Sequence, residues 1–88
     1  MANDWQQFRT KDLKNPVRGV LFYKLINGPD GKPHDIKVKL QYFGSAAELT
    51  MFGVAKLDQA ARTFAFNKAA NELEGKLRMA GAFGVSDD

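Results

Sequence analysis

The sequence predicts an α+β fold in the order αβββα. It consists of a short N-terminal helix, an antiparallel β-hairpin extended to about three strands, and a C-terminal helix packed on one face. Three observations predict it. Residues 35–43 (DIKVKLQYF) alternate apolar and polar side chains, the two-residue period of a half-buried strand. Residues 27–34 (NGPDGKPH) are dense in turn formers and sit between two β-branched, aromatic-rich runs. The stretch after residue 57 is rich in alanine, glutamate, lysine, arginine and glutamine, all good helix formers. Eighty-eight residues make one domain, 1–88, with no room for a second core.

In residues 1–16, Trp5, Phe8 and Leu13 form a short apolar pattern that Asn3 or Asp4 can cap. Asn15-Pro16 closes it, because proline disfavours a helical residue before it and lacks the donor to continue. The expectation is a helix over 4–13; the competing reading is an extended arm pinned by Trp5. The sheet is expected over 17–54. In residues 17–26 (VRGVLFYKLI), Leu21, Tyr23 and Leu25 fit the core face, leaving Arg18, Val20, Phe22 and Lys24 outside. In residues 35–43, Ile36, Val38, Leu40 and Tyr42 turn inward, while Asp35, Lys37, Lys39, Gln41 and Phe43 turn out. Residues 48–54 are ambiguous. Ser45 and Glu48 have capping-box spacing, but alternation of Leu49, Met51 and Gly53 favours a third strand.

Residues 57–80 carry two apolar stripes when turned through about 100° per residue. Leu57, Ala60, Ala61 and Phe64 take one side; Phe66, Ala70, Leu73, Leu77 and Ala80 take nearly the opposite one. One straight helix cannot bury both against one sheet. Either it breaks near 64–66, or one stripe packs on the sheet and Phe66, Leu73 and Leu77 face a second copy. Gly75 costs about 1 kcal/mol relative to alanine inside a helix, and close backbone packing would account for it. Gly81 is a natural C-cap. The tail 81–88 is expected to dock through Phe83 before fraying at Asp87 and Asp88.

Composition removes several classes of function. There is no cysteine, which excludes disulfides, thiolate nucleophiles and cysteine-ligated zinc. The one histidine, His34, lies in the Pro/Gly-rich loop, where a solvated role is expected. Glu72 and Glu74 diverge on a helix, Ser45 and Ser86 have no base near them in sequence, and GPDGKPH lacks the Walker pattern. Catalysis, a metal site and a cofactor are therefore not expected. No apolar run approaches the roughly 20 residues of a membrane helix. The first residues lack the basic start and apolar stretch of a signal peptide, so a cytoplasmic location without membrane contact is expected.

The charge distribution points to binding. The chain carries +3 in all, but residues 6–39 carry +5 and residues 40–88 carry −1. Such asymmetry suggests a basic surface for phosphate or an acidic protein. On the hairpin as drawn, Arg18, Phe22, Lys24, Lys37 and Lys39 share the outer face with Phe43, and Lys32 stands at the tip. Cations around an exposed aromatic suit phosphates and a stacked base. Nucleic acid is the leading expected partner, and an acidic protein surface the second.

The order helix, three antiparallel strands, helix resembles the double-stranded-RNA-binding domain. Gly28-Pro29 and His34 lie in the first hairpin loop, where that family carries a Gly-Pro-x-His contact. Gly53 precedes the final helix, and Ala60-Ala61, Ala65 and Ala69-Ala70 line it with small residues. Two departures weaken what the resemblance implies about RNA. Four residues separate Pro29 from His34 instead of one, and the basic cluster opening the last helix is reduced to Lys56 and Arg62. The alternative class is a protein–protein interaction module, such as a small inhibitor or adaptor of a larger nuclease or polymerase machine. Phage-encoded proteins of this size include such inhibitors.

Overall fold

The backbone divides between pattern-driven strands and one long helix, described over residues 5–84 of a computed structural model. The elements are β1 (Gln6–Phe8), β2 (Val20–Asn27), β3 (Pro33–Tyr42), β4 (Ser45–Met51) and α1 (Gln59–Met79), with single 3₁₀ turns at Thr10–Asp12 and Val54–Lys56. The strands form one antiparallel sheet in the order β1-β2-β3-β4, and α1 covers one face. The mixed α+β class and the hairpin-centred sheet are as expected. The αβββα order is not: four strands precede one helix, and with the leading helix goes the likeness to the double-stranded-RNA-binding domain.

Residues 6–8 form a strand because an edge was available to pair. Gln6, Gln7 and Phe8 stand opposite Tyr23, Phe22 and Leu21. A helix of ten residues is marginal in isolation, whereas pairing to β2 places Phe8 flat on Phe66, ring centroids 5.0 Å apart. The chain then crosses to the helix side, burying Leu13 and Val17. Asn67 Oδ1 accepts from the Lys14 N–H at 2.6 Å, and Glu74 Oε2 from the Arg18 N–H at 2.9 Å, fastening this segment to α1. Gly19 returns it to the sheet. Its φ of +98° and an added Cβ only 2.5 Å from the Gln41 carbonyl oxygen leave space for no side chain. The expected caps Asn3 and Asp4 and the fraying at Asp87 and Asp88 lie outside the described residues.

The hairpin register sets Leu21 opposite Leu40, Tyr23 opposite Val38 and Leu25 opposite Ile36. In β4, Ala47, Leu49 and Met51 continue the inner face opposite Leu40, Val38 and Ile36. The strand expected over 48–54 is observed through Met51, starting earlier at Ser45; Gly53 takes a left-handed turn and Val54 opens the 3₁₀ segment. Leu21, Val38, Leu40 and Leu73 are fully enclosed. Leu25, expected in the core, is 45% exposed because it lies toward the hairpin end.

α1 is continuous through 64–66, starting at Gln59 and ending at Met79. Asp58 Oδ1 caps it by accepting from the Ala61 N–H. At the other end, Ala82 donates to the Leu77 carbonyl and Gly81, at φ +82°, to that of Arg78. This Schellman pattern confirms Gly81 as the terminator. The two stripes are resolved without a break. Phe66, Ala69, Ala70, Leu73 and Leu77 face the sheet, and Phe64 is 72% exposed. Phe66, Leu73 and Leu77, expected at an oligomer interface, are thus the chain's own core. Gly75 has no neighbour within 4 Å of an added Cβ, so close packing does not explain it.

Candidate nucleic-acid interface

Strand alternation carries one set of side chains into the core and the other onto the sheet face that α1 leaves open. Phe22 and Lys24 of β2 stand directly opposite Lys39 and Lys37 of β3. Across β3, Lys39 and Lys37 stand opposite Glu48 and Thr50 of β4. Lys24 against Lys37 is a like-charge cross-strand pair, an arrangement that destabilises a sheet. Its neighbours offset part of that repulsion. Glu48 Oε1 lies 3.6 Å from Lys37 Nζ, a half-exposed ion pair worth at most about 1 kcal/mol.

The other neighbour is Trp5. Its ring lies over the lysines, with Lys39 Nζ 4.5 Å and Lys24 Nζ 5.2 Å from the centroid. Lys39 also lies 5.4 Å from the Phe22 ring. Ammonium groups held against ring faces gain about 0.5–1 kcal/mol each at exposed sites. Two half-buried aromatic rings and three lysines thus share one patch, and among the described residues Glu48 is the acid that contacts it.

Of the residues expected at the binding face, Phe22, Lys24, Lys37 and Lys39 come together. Arg18 does not. It precedes β2, and its guanidinium lies 4.8 Å from the Phe83 centroid, at the C-terminal end of α1. Phe83 docks there edge-on to Tyr42. Lys32 is exposed at the tip, its N–H bound to Asp30 Oδ1, beyond the register shift at Ile26/Asn27 and apart from the lysine cluster. Phe43 is 83% exposed in the β3–β4 turn. Trp5 was missed as a site residue. The signal was present in Trp5-Gln6-Gln7-Phe8: if Phe8 is inward on a strand, Trp5 is outward.

His34 is tied into the fold. Asp35 Oδ1 accepts from His34 Nδ1 at 2.6 Å and from the Gly53 N–H at 2.8 Å, clasping the start of β3 to the segment after β4. A carboxylate can only accept, so Nδ1 carries the proton. The Gly53 N–H, and then the histidine, hold the Asp35 carboxyl below its ordinary value of 3.8. A depressed folded-state value gives stability that is complete above the unfolded value and lost as pH falls through the folded one. Asp35→Asn is therefore expected to lower the melting temperature at neutral pH. The gap to the unsubstituted protein should close as pH falls below the ordinary aspartate range. Melting curves across an acid pH series check this; a gap independent of pH would mean that the clasp does not depend on the charge.

Among the described residues no group of three His, Asp or Glu is placed to hold a metal ion, and no helix is long and apolar enough to cross a membrane. Compared with known proteins, the chain matches no family model, and no curated protein or solved structure matches it significantly.

Proposed function

We propose that the protein is a binding protein, not an enzyme, and that it holds single-stranded nucleic acid on the open face of its sheet. The observation that carries this reading is the patch of Lys24, Lys37 and Lys39 around Trp5 and Phe22. Lys24 and Lys37 are placed directly opposite each other on the face that α1 does not cover. Repulsion kept on a sheet face is offset when phosphates arrive between the cations. The strands hold the ammonium groups at set spacings, so little ordering remains to be done on binding. The aromatic rings add base stacking, which every nucleotide can use and only unpaired bases offer freely. His34 Nδ1 is engaged by Asp35, in a clasp that joins the start of β3 to the segment after β4.

Salt dependence tests the reading. Three lysines neutralising about three phosphates of a single strand give a log–log slope of affinity against salt near −2. Four cations including Arg18 would have given a steeper one. Fluorescence anisotropy with labelled single-stranded DNA and RNA over a salt series measures it. The absence of salt-sensitive binding to either at micromolar protein would end the nucleic-acid reading. The same basic face would then serve an acidic protein.

A further inference from the structure

β4 is a seven-residue sheet edge, whereas the opposite edge, β1, has three residues. Natural sheets protect long edges with proline, lysine or bulges. Ser-Ala-Ala-Glu-Leu-Thr-Met contains no proline or lysine, its pairing to β3 runs without a register shift, and its one charge, Glu48, is engaged by Lys37.

The backbone direction at this edge follows from the turn. Tyr42 and Ser45 flank a two-residue connection, Phe43-Gly44, and so form a mutually hydrogen-bonded pair. Alternation then turns the N–H and C=O groups of Ala47, Leu49 and Met51 toward β3, and those of Ala46, Glu48 and Thr50 outward. Beside the edge, between β4 and α1, lies a trough of about 300 Å³ lined by Leu49, Met51, Val54, Ala65 and Ala69. Lys68 and Glu72 also line it; both are exposed, and no ion pair engages either among the described residues.

We infer that β4 is a homodimer interface, two copies pairing antiparallel about a two-fold axis through Leu49. An axis normal to the sheet keeps both helices on one side, so opposed residues share a parity and the axis passes through a residue. Centring on Glu48 would oppose two like charges, and centring on Ala47 would set Leu49 against Ser45. Centring on Leu49 sets it against its own counterpart, Ala47 against Met51 and Glu48 against Thr50. The outward groups of Glu48 and Thr50 then bond each other.

The same axis brings the two α1 helices together antiparallel, with Ala65 and Ala69 small enough for axes about 8–10 Å apart. Lys68 of each copy meets Glu72 of the other. This charge self-complementarity selects a second copy over a foreign strand. The interface is independent of nucleic-acid binding, yet it joins the two open faces into one eight-stranded surface with a lysine triad on each half.

Sedimentation equilibrium on the full chain, from low to high micromolar, tests it. The expected mass at the upper end is twice the 9.8 kDa of the chain. Thr50→Pro removes an outward N–H at a position where an edge strand tolerates proline, so a folded monomer is expected. Lys68→Glu should weaken association at least tenfold, and Lys68→Glu with Glu72→Lys should restore it. Both positions are exposed, so this pair carries the test even if Thr50→Pro fails to fold. A wild-type monomer throughout the range overturns the proposal. So does an undiminished dimer in folded Thr50→Pro, or a folded charge-swapped variant that stays monomeric.

Discussion

Changing Lys37 and Lys39 together to glutamate is expected to lower affinity for single-stranded nucleic acid by roughly a hundredfold or more at physiological salt. Both side chains lie on the open face, so the change replaces two phosphate partners with two repelling carboxylates. It also sets those carboxylates beside Glu48, which stands opposite Lys39 and contacts Lys37. That repulsion is at the surface and should lower stability by no more than about 1 kcal/mol. The glutamine pair, which removes charge without reversing it, separates the two effects. It loses the Glu48 pair and the Lys39–ring contacts but also the Lys24–Lys37 repulsion. Stability should therefore change by no more than about 1 kcal/mol while most of the salt dependence is lost. Trp5→Ala divides the ligands: about 1–3 kcal/mol of single-strand affinity goes with a stacked base, and much less for a duplex held by its phosphates. Anisotropy titrations beside urea melts read all of these. A double glutamate variant that is folded and binds as tightly as wild type would remove the lysine face from the mechanism.

Leu40→Ala should lower stability by about 2–5 kcal/mol. Leu40 is fully enclosed, between Leu21 of β2 and Ala47 of β4 on the face under α1. Its Cδ1 lies 3.4 Å from where a Cβ on Gly19 would stand, so the wall on that side is backbone that cannot collapse into a void. For a domain of 88 residues that is a large share of the whole. Urea denaturation followed by circular dichroism measures it. A change under about 1 kcal/mol would show that the site relaxes around the loss in a way a close-packed core does not.

Local pattern carried much of the architecture. Alternation in 35–43 assigned Ile36, Val38, Leu40 and Tyr42 to the core side and Lys37 and Lys39 to the other, and the sheet observes both assignments. The turn-forming run 27–34 and the C-cap at Gly81 rest on backbone chemistry within a few residues and were legible for that reason. The β-propensity and alternation of the hairpin likewise placed Phe22 and Lys24 beside Lys37 and Lys39, four residues of the candidate site. Arg18 lies away from the patch because strand alternation does not continue through Gly19. Its positive φ breaks the alternation and turns the chain toward α1.

Three features lay beyond local reading, all decided by contacts between residues far apart in the chain. Residues 6–8 became a strand instead of a helix turn because β2 offered an edge and Phe66 a surface for Phe8, neither visible within the segment itself. Trp5 reached the lysine patch as a consequence of that pairing. Both apolar stripes of residues 57–80 were candidates for burial, and only one could be buried. Once the sheet presented Leu21, Val38 and Leu40 on a single face, Phe66, Leu73 and Leu77 closed over it and Phe64 was left in solvent. Periodicity fixes which residues share a face, because it is a property of the backbone turn. Which face is buried depends on the apolar area a distant element brings, and that is known only once the chain has met itself.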